Sequence, residues 1–73
     1  MAKTKKSYIW DGVTIRKARE RAGMTRTELA AACGVTEGTV RSWEENKSAP
    51  HLPTYLRACR ALDKDPEALL ATA

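Results

Sequence analysis

The 73-residue sequence contains no phenylalanine, a single histidine and only two cysteines. None of its apolar runs approaches the roughly 20 residues needed to cross a bilayer. The N-terminal lysines are not followed by an apolar segment, so we expect neither a signal peptide nor a membrane span, and hence a cytoplasmic protein. Cys33 and Cys59 lie far apart in the chain, which fits neither a zinc site nor a disulfide framework. Both occur in apolar helical patterns next to alanine, which favours small buried thiols over a reactive pair.

The length and composition indicate one small globular domain. Hydrophobic residues make up 42% of the chain and charged residues 30%, so the chain is not disordered, and it is too short for a two-domain enzyme or a barrel. It has no Cys–His–Asn pattern, no phosphate-cradling glycine loop and no pair of carboxylates placed for acid–base chemistry. We therefore expect no enzymatic activity, no metal, no cofactor and no small-molecule ligand.

The net charge of +4 is distributed unevenly along the chain. Residues 1–26 contain eight of the 13 basic residues but only two of the nine acidic residues. A basic segment of this kind suggests a polyanionic partner such as nucleic acid. Solvated helix surface is the alternative, and charge alone does not distinguish the two.

The remaining pattern predicts helices separated by capping residues and glycines, with no sustained strand-like alternation. Residues 1–9 are predicted as an extended tail. The predicted helices run from Asp11 to Gly23, from Thr25 to Gly34 and from Thr36 to about Asn46, followed by a fourth with Pro53 in its first turn and a short fifth from Asp65-Pro66-Glu67. Thr25 and Glu28 form a capping box, and Gly34 suits a tight turn. Two helices joined by a short turn containing glycine predict a helix-turn-helix.

The third predicted helix has one side that packs and one that is left bare. At about 100° per residue, Val40 and Trp43 fall on the packing side. The residues that fall on the opposite side are Glu37, Gly38, Arg41, Ser42 and Glu45. A helix braced from behind with a bare outer face can enter a DNA major groove.

Several short motifs occur in register over residues 14–70: R-x-x-x-G-x-T at 19–25, E-L-A at 28–30, G-V-T at 34–36, T-V-R-x-W-E at 39–44 and a proline at 50. In this combination the sequence resembles the phage repressor and Cro-type helix-turn-helix domain, also called the xenobiotic-response-element type. The resemblance implies an all-α, compact five-helix bundle of the lambda-repressor-like DNA-binding type, with the helix-turn-helix at about residues 25–46. Residues 1–10 would form a basic tail and residues 11–73 the domain.

The resemblance also implies a function. The expected protein is a phage or bacterial transcriptional regulator, a repressor that binds double-stranded DNA sequence-specifically by inserting its third helix (about 36–46) into the major groove. Most members of the family bind as dimers, so a homodimer is a further expectation. The alternative is a protein-interaction or antitoxin-like adaptor that keeps the fold with little DNA binding, which the acidic residues on the bare face favour.

The resemblance assigns roles to individual residues. It implies base contacts by Glu37, Gly38, Arg41 and Ser42. It implies contacts to the DNA backbone by Thr25, Arg26, Thr36, Thr39, Trp43, Asn46, Lys47 and Ser48. Lys3, Lys5 and Lys6 would form a DNA-tracking arm, and Arg19 and Glu44 a structural ion pair.

A different role is open to most of these residues. Glu37 and Arg41 are spaced i,i+4 and can pair with each other instead of with bases. Arg26 can face solvent, and Arg19 and Glu44 can be unrelated surface charges. The threonine hydroxyls can serve as helix caps, and Trp43 can belong to the core. Residues 46–48 can form a plain solvated loop, and the lysines near the N-terminus a disordered solubilising tail.

Overall fold

Four α-helices, one 3₁₀ helix and a two-stranded sheet make up residues 8–72, the part of the chain that the structure, a computed structural model, describes. In chain order the elements are β1 (Tyr8–Trp10), α1 (Gly12–Arg21), α2 (Arg26–Cys33), α3 (Glu37–Glu44), α4 (Leu52–Leu62), the 3₁₀ helix (Pro66–Leu69) and β2 (Leu70–Thr72). Across these residues, every helix is too short or too polar to serve as a membrane span.

The helix boundaries follow the predicted capping residues. Asp11 Oδ1 accepts from the Val13 amide at 3.1 Å. Thr25 and Glu28 exchange both hydrogen bonds of the capping box, at 2.8 and 3.1 Å. Gly34 ends α2 with φ = 75°, in the left-handed region where glycine carries no steric penalty. These local signals set where α1 and α2 begin and where α2 ends.

A small core fills the space between the helices, and α2 contacts both α3 and α4. Its fully buried larger side chains are Ile15, Leu29, Cys33, Val40 and Leu69. Both cysteines are buried free thiols, and burial raises the pKa of each. The predicted fold class, a lambda-repressor-like helical bundle, is confirmed.

Two details differ from the predicted five-helix bundle. The fifth helix is a single 3₁₀ element of four residues, held by buried Leu69. In addition, β1 and β2 pair antiparallel with Trp10 opposite Leu70, so residues 8–10, assigned by sequence to the tail, lie in a strand. Strands of three residues are too short to show an alternating pattern.

Glu44, at the end of α3, is a buried carboxylate held by two arginines from two other helices. Its side chain is 1% exposed. Arg19 of α1 donates from Nε at 2.6 Å and from Nη2 at 3.2 Å. Arg26 of α2 donates from Nε at 2.9 Å. The ion cluster of Arg19, Arg26 and Glu44 therefore ties three helices together at one point.

Within this cluster the pKa values of Glu44 and Arg19 are both shifted. Burial alone would raise the pKa of Glu44, but the hydrogen bonds from Arg19 and Arg26 outweigh it and lower that pKa below its ordinary value. The hydrogen bond to Glu44 raises the pKa of Arg19 in turn. Arg19 Nη1 also donates to the Met24 carbonyl at 2.9 Å, which fixes the turn between α1 and α2.

The start of α1 packs backbone to backbone against the end of α3. A Cβ added at Gly12 would lie 2.5 Å from the Glu44 carbonyl oxygen and would also clash with the carbonyl of Trp43. The Gly12 amide donates to Asn46 Oδ1 at 2.9 Å, and Trp10 Nε1 donates to the Trp43 carbonyl at 3.0 Å. This junction leaves no room for any side chain at position 12.

We predict that Gly12→Ala destabilises the fold by about 3 kcal/mol, because overpacking against rigid backbone costs roughly 1–3 kcal/mol or more. Gly38→Ala is the matched control, because a Cβ there meets nothing within 4 Å. Since alanine favours the helix more than glycine does, the free energy of unfolding of this variant should rise by about 0.5–1 kcal/mol. Urea unfolding of both variants measures the difference. Equal stabilities for the two variants would contradict the close approach at Gly12.

We also predict an acid-sensitive stability set by Glu44. Because the folded pKa of Glu44 is depressed, its stabilisation is full above its ordinary value, 4.5, and is lost as the pH falls through the lower folded pKa. Glu44→Gln should cost about 3–5 kcal/mol at neutral pH, because it leaves the buried arginine without a counter-charge. Urea unfolding from neutral pH to about pH 3 tests this.

If Glu44→Gln does not fold, Arg26→Ala provides the same test, since it removes one of the donors to Glu44. Its loss of stability on acidification should be smaller than in the wild type. If the pH dependence of stability is the same as in the wild type in every variant that folds, Glu44 is not the group that causes the loss of stability in acid.

Candidate nucleic-acid interface

The outer face of α3 carries the four residues predicted to contact bases. Arg41 and Gly38 are exposed, whereas Glu37 and Ser42 are half-buried. Val40, Trp43 and Glu44 are the buried residues of α3. The helix therefore has the predicted division, with a packed side set by the core and the ion cluster and an open side that faces solvent.

Glu37 and Arg41 pair with each other across one turn of α3. Arg41 Nη2 donates to Glu37 Oε1 at 2.5 Å, and the two side chains are 33% (Glu37) and 51% (Arg41) exposed. This hydrogen bond raises the pKa of the Arg41 guanidinium. The i,i+4 pair is thus the arrangement in the free protein, and it leaves the remaining guanidinium N–H groups of Arg41 at the exposed face.

Gly38 has no structural reason to be glycine. It lies in the first turn of α3, its φ is not positive, and a methyl group built on its Cα would meet nothing within 4 Å. Glycine at a helix position weakens the helix relative to alanine. At Gly38 the backbone of α3 is therefore directly accessible to a binding partner, with no side chain in between.

The predicted backbone-contact residues at the helix starts are engaged in caps. Thr36 Oγ1 accepts from the Thr39 amide at 3.2 Å, and the two hydroxyls lie 3.0 Å apart. Thr25 caps α2, and Arg26 pairs with Glu44 instead of facing solvent alone. Capping occupies one lone pair of each cap hydroxyl and leaves the side chains at the surface or half-buried.

Residues 46–48, which were predicted to contact the DNA backbone, follow the end of α3. The helix ends at Glu44, two residues before the predicted end, because Asn46 adopts φ = 62° and the Lys47 amide bonds back to the Ser42 carbonyl at 2.9 Å. Lys47 and Ser48 are exposed, with Lys47 Nζ 3.3 Å from a Glu45 carboxylate oxygen. Lys3, Lys5 and Lys6 lie outside the described residues.

Trp43 lies in the core, with only 3% of its surface exposed. It lines a cleft of about 220 Å³ together with Thr39, Ser48 and His51. Among residues 8–72 its indole Nε1 has no hydrogen-bond acceptor, and the residue borders this cleft. The core role and the edge contact foreseen for Trp43 are therefore compatible.

Sequence reasoning missed three features that orient α3. Gly12 was not recognised as a packing position, and Asn46 was assigned to DNA although its oxygen holds the start of α1. The second partner of Glu44, Arg26, was also missed. Of these three residues, only Asn46 carries a sequence signal: asparagine tolerates the left-handed conformation, so it could have been predicted to end α3.

Comparisons with known proteins agree with this geometry. A family model described as helix-turn-helix matches residues 15–69. The P22 c2 repressor, solved in complex with a synthetic operator, is 27% identical with a TM-score of 0.77 over 81% of this chain and 89% of that chain. The restriction-modification controller protein C.AhdI from Aeromonas hydrophila is 28% identical, with a TM-score of 0.75 over 80% and 88% of the two chains.

SinR, the master regulator for biofilm formation from Bacillus subtilis, solved in complex with DNA, is 27% identical with a TM-score of 0.73 over 80% of this chain and 94% of that chain. No curated protein sequence matches the chain. With the family match spanning most of the described helices, the chain belongs to the Cro/C1-type helix-turn-helix family.

Proposed function

We propose that this protein is a DNA-binding regulator of transcription, a repressor that occupies its operator by placing α3 in the major groove. The observation that carries the proposal is the open face of α3 on a helix whose other side is fixed by the core and the ion cluster. The P22 c2 repressor and SinR, both solved with DNA, are similar in fold and support it.

The dimensions and chemistry of α3 suit a major groove. An α-helix with its side chains is about 10–12 Å across, and the major groove of B-DNA is about 12 Å wide. Eight helical residues, Glu37–Glu44, make about two turns and span about 12 Å, so both turns of the helix can lie along base edges. Glu37, Gly38, Arg41 and Ser42 are the residues that those turns present.

Arg41 is the main candidate for direct readout, since its guanidinium matches O6 and N7 of guanine. In the free protein Glu37 holds one edge of Arg41. Retained on DNA, this bond would aim the other edge of Arg41 at a guanine. Released, it would free the Glu37 carboxylate to accept from cytosine N4. Gly38 would let the helix backbone approach closely between these contacts.

Contacts to the DNA backbone would flank this face. Thr25 and Arg26 lie at the start of α2, where amide dipoles favour a phosphate. The other candidates, around α3 and the loop after it, are Thr36, Thr39, Trp43 through Nε1, Asn46 through its amide, Lys47 and Ser48. A homodimer would place two such units on half-sites about 34 Å apart.

The protein-interaction hypothesis depends on the acidic residues at the face of α3. Both carboxylates have cationic neighbours in the structure: Glu37 pairs with Arg41, and Glu45 lies beside Lys47. The charges of Glu37, Arg41, Glu45 and Lys47 sum to zero, so the acidic residues of this face do not by themselves favour a protein partner over DNA.

The proposal predicts salt-sensitive binding to duplex DNA. Selection from random duplexes should give a preferred sequence, and its affinity should fall steeply with salt, with a log–log slope of about −0.9 per phosphate contact. Fluorescence anisotropy at several salt concentrations measures this slope. Absence of affinity for every duplex in dilute buffer would contradict DNA binding and favour the protein-interaction hypothesis.

We predict that Arg41→Ala weakens binding to the selected duplex by roughly 1–3 kcal/mol and relaxes the sequence preference at one position. Its fold should be unaffected, because Arg41 is exposed. Gel-shift titration of single-base variants of the selected site provides the measurement. An unaltered sequence preference in Arg41→Ala would rule out direct readout by this residue.

A further inference from the structure

The side chain of Arg26 has one partner inside the protein and one side open to solvent. Its Nε donates to the buried Glu44 carboxylate at 2.9 Å, while 35% of the side chain remains exposed. Among the described residues, its two Nη atoms have no acceptor. The guanidinium is therefore held by its inner nitrogen, with the Nη groups left as free donors.

The open side of Arg26 lines a polar cleft of about 520 Å³ between the turn that follows α1 and the start of α3. Two acidic residues also line it, and each has a basic neighbour. Glu20 lies 4.0 Å from Arg19, and Glu37 lies 2.5 Å from Arg41. Counted together with Glu44, these acidic residues are balanced by Arg19, Arg26 and Arg41, so an anion in the cleft would be held by the Nη donors of Arg26 and not by a net positive charge.

We propose that Glu44 is a positioning residue for DNA binding: by holding Arg26 Nε, it fixes the guanidinium so that the Nη groups donate to a single backbone phosphate. This inference rests on the proposed function, which already places Arg26 near a phosphate, and adds to it the residue that orients Arg26. One anion at this position would be bound by a charge that is already oriented, at little cost in side-chain entropy. Because Glu44 ends α3, the phosphate contact would also fix α3 relative to the DNA backbone.

Arginine is required for this arrangement, because its planar group can donate to two acceptors on different sides. A lysine ammonium at position 26 has three donors on a single nitrogen, so it lacks the rigid fork that keeps one donor on Glu44 and places two others on the opposite side. Arg26→Lys therefore separates positioning from charge, and Arg26→Ala gives the loss of both. Arg60→Lys, on the exposed last turn of α4, is the matched control.

The experiment measures the affinity of all four proteins for the duplex selected with the wild type, with circular dichroism melts to show that each variant is folded. We expect Arg26→Lys to bind about tenfold or more weakly, close to Arg26→Ala, because it loses the charge-assisted hydrogen bonds that the Nη groups donate to the phosphate. Arg60→Lys should match the wild type.

Wild-type affinity in Arg26→Lys, with or without a loss in Arg26→Ala, would overturn the inference while leaving the proposed function intact. Failure of the wild type to bind any duplex would overturn both, so the two failures are distinguishable.

A second measurement uses the wild-type protein and does not depend on how the variants fold. In ¹⁵N NMR spectra, the Arg26 Nε–H should exchange more slowly with solvent than that of exposed Arg60, both before and after addition of the duplex. Its Nη signals should shift on binding. An Arg26 Nε–H that becomes as fast in exchange as Arg60 in the complex would show that the bond to Glu44 breaks, and would overturn the positioning role.

Discussion

The structure depends on one buried carboxylate. Glu44 ends the helix that carries the candidate recognition face, and it accepts hydrogen bonds from Arg19 of α1 and Arg26 of α2. Apolar packing holds this eight-residue helix through its two buried apolar residues, Val40 and Trp43. The ion cluster supplies directional contacts that apolar packing does not, since each hydrogen bond requires a particular orientation. Removing one partner would leave buried charge, which is why the three residues act as a unit.

A second set of contacts holds the same end of α3 from the backbone. Gly12 allows the start of α1 to touch the last carbonyls of α3, and Trp10 and Asn46 each add a hydrogen bond across that junction. The ion cluster and this junction together fix the rear and the C-terminal end of α3. On the opposite side Gly38 and Arg41 are exposed, and Glu37 and Ser42 are half-buried. A helix whose packed side is fixed and whose other side faces solvent can enter a groove without a preceding ordering step.

The sequence predicted the parts of this arrangement that depend on neighbours in the chain. The capping box at Thr25 and the left-handed Gly34 are local, and the open face of α3 follows from helical periodicity. The Arg19–Glu44 pairing required the family resemblance, because no local pattern joins residues from two helices. Gly12 and the second partner of Glu44 were missed for the same reason: both depend on how closely and at what angle helices meet. The strand pair joins the two ends of the described chain, a separation that no short window of sequence can show.

The central claim is that the open face of α3 and the start of α2 contact DNA together. Backbone amide NMR of the folded protein, titrated with a duplex obtained by selection, tests this most directly. We expect the largest shifts at residues 37–42 and 25–26, with little change along α4 and in the two-stranded sheet. Shifts concentrated on α4 or the sheet, with the amides of Glu37, Gly38 and Arg41 unmoved, would contradict it.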